Sequence, residues 1–310
     1  MSAELIVHSE VPPLTWQEFI ETHPVGSIAL DGYVGEGPQY EPEGPYLNAN
    51  HHEGVKRLET LSTAQQILMN VRMGLDKAFT RDGVFAPKVY VNDCDQDVCA
   101  AWYLLNHVEQ AKTVTNPTLN RFINVAGTLD ATAGAFPYDR DLRILGELAW
   151  VFEPYTMFRA SGEMASKDNE QYRSVIQSVE ARIQQHLVGG GESAKIDARY
   201  KLVGGGQDWK MIEEVGKDGR VGALVDGIDA YVAVQELPGE RWRYTVGRRS
   251  EFIPFDVPVL IDRLNQVEAC EKDRWGGATI IGGSPRVSGS KLSPAKVEKV
   301  INEFIAEAEA

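Results

Sequence analysis

Long uncharged apolar runs are missing from this chain of 310 residues. None approaches the ~18 residues that a membrane-spanning helix needs, so no membrane span is expected. Cysteine is scarce: Cys94, Cys99 and Cys270 are the three present, and no Cys-x-x-Cys occurs. That odd, dispersed set argues against a disulfide framework or a zinc ribbon and fits a reducing cytoplasm. The opening Met1-Ser2-Ala3-Glu4-Leu5 lacks the basic and apolar regions of a signal peptide, which agrees with a cytoplasmic location. Positive charge is in short supply, with 31 Lys and Arg against 45 Asp and Glu, a formal net charge of −14. Such a surface repels long polyanions through a field that salt only partly screens, which argues against a role on long duplex nucleic acid. A local basic cleft for a short oligonucleotide stays open. No repeat at solenoid or propeller periods is present.

What is present reads as a globular α/β protein long enough for two domains. Residues 26–155 alternate short apolar runs with helical patterns, which implies βαβ units and a mostly parallel sheet. Ser27-Ile28-Ala29-Leu30 reads as a strand ending at Asp31-Gly32. Tyr46-Leu47-Asn48 leads into Asn50-His51-His52. Ser62 or Thr63 caps a helix from Ala64 to Leu75, with Ile67, Leu68 and Val71 on one face. An apolar helix runs from about Val98 to His107, and Phe122 to Ala126 reads as a strand before Leu129-Asp130. Residues 168–187 form an amphipathic helix that Gly189-Gly190-Gly191 ends. Beyond Val221 the pattern turns to strands at 223–225, 231–234 and 243–246, with a hairpin turn at Pro238-Gly239. The last helix starts at Ser293-Pro294 and buries Val297, Ile301 and Phe304. The expected division is an α/β domain with a mostly parallel sheet at 1–155, a connector at 156–207 and a smaller α/β domain at 208–310.

Val89-Tyr90-Val91-Asn92-Asp93-Cys94-Asp95-Gln96-Asp97 places three carboxylates on alternate positions after an apolar run. If the strand continues, Asp93, Asp95 and Asp97 share one side. Like charges so close raise one another's pKa unless a cation neutralises them, and a hard divalent metal is the natural one. A calcium loop would need Gly and Glu where Val98 and Leu104 stand, so that motif fails. The plain alternative is a solvated acidic turn. His51-His52-Glu53 begins like a zinc protease helix, but Lys56 stands where its second His belongs. Asp130 reads as an acid at a strand-to-loop break. The loop Gly282-Gly283-Ser284-Pro285-Arg286 is no P-loop, yet its amides can cradle an anion, with Arg286 as a clamp. Arg248 and Arg249 at a strand end are a second anion candidate.

Together these motifs resemble the DHH phosphoesterase superfamily. The first family motif, His-x-x-x-Asp-x-Asp before an apolar helix, is matched by Asp95 and Asp97, with Val91 in place of the His. Asp31 resembles the second, and Asn50-His51-His52 the third, Asp-His-His. Asp130-Ala131-Thr132 resembles the fourth. The motifs run second, third, first, fourth, as in a circular permutation. Arg249-Ser250 and Gly282 to Gly289, with Ser284 in place of a His, resemble the DHH-associated substrate domain.

The resemblance implies one or two Mn2+ or Mg2+ ions. One position is held by Asp31, His51, Asp97 and Asp130; the other has Asp31 and Asp95, with Asp93 as an extra ligand. It implies hydrolysis of a phosphodiester or phosphoanhydride in a small nucleotide, short oligonucleotide or polyphosphate. Asp31 and His52 carry catalysis, and His52, Arg248, Arg249, Gly283, Ser284 and Arg286 hold the substrate. A nucleotide- or phosphate-binding protein without turnover is the alternative. An acidic interaction protein without metal is the third.

Overall fold

Four short apolar runs become the parallel strands of one sheet, and the loops after three of them carry Asp31, His51, His52, Asp93 and Asp95. The computed structural model describes residues 3–309. The chain divides into two units, 1–131 with 143–195, and 132–142 with 196–310.

The first unit opens with β1 (Glu4–Val7), α1 (Trp16–Thr22), β2 (Ser27–Leu30), β3 (Gln39–Glu41) and β4 (Tyr46–Ala49). Then come α2 (Thr63–Arg72), α3 (Leu75–Ala78), a minor hairpin of β5 (Thr80–Arg81) and β6 (Val84–Phe85), and β7 (Lys88–Val91). The sheet order is β1-β7-β2-β4-β3, parallel except for the edge strand β3. Alternation assigns the faces. Ile6, Ala29, Tyr46 and Tyr90 pack around Phe19 of α1 on one face. Leu5, Val7, Ile28, Leu30, Leu47, Ala49, Val89 and Val91 are buried on the other. Each buried Val, Leu or Ile among them contributes roughly 1.5–3 kcal/mol.

Helices follow: α4 (Gln96–Asn106), α5 (Val108–Lys112), α6 (Pro117–Ala131), α7 (Arg143–Val151), α8 (Glu153–Ser161) and α9 (Asn169–Leu187). The helix α2 touches β4, α9 touches β1, and α4 packs on both α2 and α9. Ser62 caps α2 through a capping box with Gln65, as its sequence predicts. The apolar stripe expected for α9 is buried at Tyr172, Val175, Ile176, Val179 and Ile183. Packed on α4 and β1, α9 is core of the first unit, although its sequence suggested a connector.

Three local expectations change. Strand β7 ends at Val91, and Asp95 caps α4, accepting from the amides of Asp97 (3.1 Å) and Val98 (2.9 Å). Asp97 therefore lies in the first helical turn and not on an alternating strand. Residues 122–126 belong to α6, because Leu119, Phe122 and Ile123 follow helical spacing behind Pro117. Residues 223–225 end a helix rather than forming a strand; a short apolar run fits either state.

The second unit holds β8 (Tyr200–Gly205), β9 (Lys210–Glu214), α10 (Gly219–Val225), β10 (Ala230–Leu237), β11 (Arg241–Arg248), α11 (Val257–Glu268), β12 (Gly276–Gly277), β13 (Ile281–Gly283) and α12 (Pro294–Glu309). Its six-stranded sheet runs β12-β13-β11-β10-β9-β8, and only the β9–β10 pair is parallel. Its core joins Met211, Val232, Tyr244 and Val246 to Leu260 and Leu264 of α11 and to Val297 and Ile301 of α12. No helix among the described residues is long and apolar enough to cross a membrane.

Candidate metal centre

After β2 the chain turns back, with Asp31 at φ +48° followed by Gly32 at φ +89°. Aspartate tolerates this left-handed region better than most residues. The Asp31 amide donates to the Ala49 carbonyl at 2.9 Å, which continues the β2–β4 ladder by one bond. The carboxylate is buried, and its Oδ1 accepts from the Thr63 hydroxyl at 2.8 Å.

The neighbouring strand β4 ends at Ala49, and the side chain of Asn50 after it builds the next turn. Its Nδ2 donates to the carbonyls of Val34 (3.2 Å) and Glu36 (2.9 Å) and to Glu53 Oε2 (2.9 Å), while its Oδ1 accepts from the His52 amide (3.0 Å). The turn presents two imidazoles with ring centroids 4.6 Å apart. His52 Nε2 lies 3.1 Å from Asp31 Oδ1. His51 is 0% exposed, and its Nε2 lies 2.7 Å from Asp130 Oδ2, 3.5 Å from Asp31 Oδ1 and 3.6 Å from Asp97 Oδ2. Close as these oxygens are, neither His51 ring nitrogen makes a hydrogen bond.

Asp97 reaches the cluster from the first turn of α4. Its carboxylate sits on the N-terminus of α2, accepting from the amides of Thr63 (2.5 Å) and Ala64 (3.1 Å). Asp130, near the end of α6, is half-buried, and Arg57 Nη2 approaches its Oδ2 at 3.3 Å and its carbonyl at 3.1 Å. Asp31, His51 and His52 form one group, and His51, Asp97 and Asp130 another, each with its ligand atoms within 4.8 Å of one another. Carboxylate oxygens and imidazole nitrogens suit a divalent cation, and gathering three carboxylates around one imidazole is costly without one.

The titration directions carry the same strain. Burial raises the Asp31 carboxyl, but the His52 hydrogen bond and charge, His51 and the Thr63 hydroxyl outweigh it, leaving Asp31 below the usual carboxylate range. Burial, with the charges of Asp130 and Asp31, pushes Asp97 well above that range. Burial, with Asp31, Asp93 and Asp130, does the same to Asp95, and burial raises Asp93. Burial lowers the His52 imidazole, yet its hydrogen bond to Asp31 and the charge of that acid leave it raised.

Asp93 and Asp95 line a cleft of about 660 Å³ with Asp31, Gly32, His52 and Asn92. The loops after β1, β2, β4 and β7 all meet this cleft, at the carboxyl ends of the parallel strands where open α/β sheets hold ligands.

The residues expected to hold substrate in the second unit are engaged within it. Arg248 Nε donates to the Thr279 carbonyl (3.0 Å) and Nη1 to the Ile253 carbonyl (3.1 Å). Arg249 pairs with Asp229 at 2.5 Å and donates to the Leu224 carbonyl at 2.5 Å. Buried Ser284 accepts from the Tyr244 amide through Oγ at 3.0 Å. At Gly283 a Cβ would come within 2.8 Å of the Tyr244 carbonyl oxygen, so this glycine serves close strand pairing. The amides of Arg286, Val287 and Ser288 do cradle an anion, and that anion is the carboxylate of Asp273, at 3.1, 3.0 and 2.7 Å.

Sequence reasoning passed over three residues. Thr63, read only as a helix start, joins Asp31 to Asp97. Arg57 and Lys167 border the cluster and the cleft with no motif to announce them.

No protein-family model and no curated protein matches this chain. Among solved structures, it aligns with one described as the DHH domain of a member of a ribosomal-protein family, over 93% of this chain and 88% of that chain, at 12% identity and a TM-score of 0.31.

Proposed function

We propose that the first unit is a metal-dependent phosphohydrolase. Its substrates are a phosphodiester or phosphoanhydride in a small nucleotide, short oligonucleotide or polyphosphate, as the motif resemblance implies. The observation that carries the reading is His51: fully buried, without a hydrogen bond at either ring nitrogen, and within 3.6 Å of Asp31, Asp97 and Asp130. An unsatisfied buried polar group costs about 1–3 kcal/mol, and a coordinated cation relieves both that cost and the carboxylate repulsion.

Asp31, His51, Asp97 and Asp130 would hold Mn2+ or Mg2+. A cation in this place supplies Lewis acidity toward a phosphoryl oxygen and a lowered pKa for bound water. His51 belongs to both side-chain groups, and Asp31 lies 3.5 Å from its Nε2 in the first. His52 lines the cleft with its Nε2 3.1 Å from Asp31 Oδ1, a position that suits it to pair with a phosphoryl oxygen or protonate a leaving oxygen. Thr63 and the α2 amides hold Asp31 and Asp97 in place.

Asn50 favours the second reading, a phosphate or nucleotide binder without turnover. Its amide is consumed in the turn, and the buried aliphatic Val91 offers no ligand. A second cation would then rest on Asp31, Asp93 and Asp95 alone. Purified protein incubated with Mn2+ and pyrophosphate, polyphosphate, cyclic dinucleotides or short oligonucleotides separates the two readings. Product that disappears in Asp31→Ala supports hydrolysis; metal-independent product from Asp31→Ala refutes it. Tight binding with no product at any metal supports the binder.

A further inference from the structure

A phosphate entering the cleft meets Glu10, Asp31, Glu53, Asp93 and Asp95, and the lining offers one lysine or arginine against them, Lys167. Despite these carboxylates, Lys167 forms no ion pair among the described residues, although its charge reaches Asp93.

Its position is built. The backbone at Lys167 is left-handed, at φ +54°, and its carbonyl accepts from the Ser9 hydroxyl. Asn169 Oδ1 accepts from both the amide (2.9 Å) and the hydroxyl (2.8 Å) of Ser9, so the loop before α9 is fastened to the loop after β1. The Lys167 Nζ stands 5.6 Å from the ring centroid of buried Tyr172, a cation–π placement that restrains the side chain. A restrained cation loses less entropy on binding an anion than a free surface lysine does.

Resting on the reading of the cleft as a phosphohydrolase site, we propose that Lys167 anchors a second, nonreacting phosphate of the substrate. The site then prefers small molecules carrying two phosphates over those with one. A cleft of about 660 Å³ is in the range that encloses a ligand of such size. Arg248 and Arg249 are engaged with partners inside the second unit, and the basic side chains that line the cleft are Lys167 and His52.

The test compares a dinucleotide bearing a 5′-phosphate with its 5′-hydroxyl counterpart. The wild-type protein is expected to favour the phosphorylated one about tenfold in KM, as a charge-assisted contact implies. Lys167→Ala is expected to erase that preference while kcat for the phosphorylated substrate holds, and Lys167→Arg to restore it. A preference unchanged in Lys167→Ala, or absent from the wild type, overturns the proposal and leaves the hydrolase reading standing. Equilibrium binding of the same pair with a phosphorothioate linkage gives a second readout. Should the wild type bind the phosphorylated ligand more tightly, and Lys167→Ala lose this without any turnover being seen, the anchor stands and the hydrolase reading falls. Equal binding by both proteins overturns the anchor whether or not turnover occurs.

Discussion

The hydroxyl of Thr63 donates to Asp31 Oδ1 at 2.8 Å while the amide of the same residue donates to Asp97 at 2.5 Å. One helix start therefore orients two carboxylates, one just after β2 and one in the first turn of α4. Thr63→Val keeps the size and the amide but removes the hydroxyl. Supports of this kind typically contribute 10–100-fold to metal affinity. We expect Mn2+ affinity, measured by calorimetry, to fall about tenfold. An unchanged affinity would show that Asp31 needs no such support.

His51 is costly to bury without a cation. In His51→Leu the imidazole that lacks a hydrogen bond disappears and the apolar surroundings are kept. The metal-free variant is expected to be at least as stable as the metal-free wild type. Mn2+ at 100 times its dissociation constant stabilises a folded protein by about 2.7 kcal/mol, and the variant should lose most of that gain. Thermal melts with EDTA and with Mn2+ read both quantities. An equal metal-induced shift in the two proteins would remove His51 from the ligand set.

The carboxylates set a pH dependence. Asp95 and Asp97 are raised in the folded protein, so over the window above their ordinary value of 3.8 the folded state holds protons that the unfolded chain releases. Their contribution to metal-free stability therefore grows as pH falls through the raised folded values and stops growing near 3.8. Raised His52 adds stability that is complete below 6.5 and is lost as pH rises through its folded value. Lowered Asp31 opposes this only in strong acid, whereas lowered His23 and His186 oppose it below 6.5. The clean measurement is a difference. Asp95→Asn keeps a good helix cap and removes one raised acid, so urea unfolding in EDTA should show a flatter gain on acidification than the wild type. Parallel slopes would contradict the raised Asp95. Metal binding requires the carboxylates ionised, so Mn2+ affinity should fall over the same acid range.

The parts of the site that were legible in sequence are the strand ends. Asp31 and Asn50-His51-His52 follow short buried runs, and parallel strands deliver such residues to one edge whatever their order in the chain. Less was legible where one pattern serves two structures. Asp93, Asp95 and Asp97 alternate like a strand, but an aspartate ahead of an apolar helix is also a cap, and the cap prevailed. Phe122-Ile123-Asn124-Val125 looks strand-like until Leu119 and Pro117 are counted with it. Arg248, Arg249 and the glycine loop resembled anion sites because the same groups bind carbonyls, Asp229 and Asp273 inside the protein. Lys167 lay in a stretch read as a connector, and its proximity to the cleft depends on Ser9, distant in the chain.

The cradle of Arg286, Val287 and Ser288 makes the last expectation. Asp273 receives their amides and the Ser288 hydroxyl at 2.9 Å, and these bonds, the Ser288 amide foremost, hold its carboxyl below the usual range. A depressed acid contributes stability above its unfolded value of 3.8 and loses it as pH falls through the folded one. Asp273→Ala leaves the amides facing solvent and should lower the melting temperature. Successive free amides in such a loop bind anions, so sulfate should then restore the variant more than it stabilises the wild type, whose cradle is filled. The comparison is a melt of both proteins across a sulfate series, with chloride at matched ionic strength as the control. A sulfate response equal in the two proteins would mean that Asp273 does not occupy an anion site.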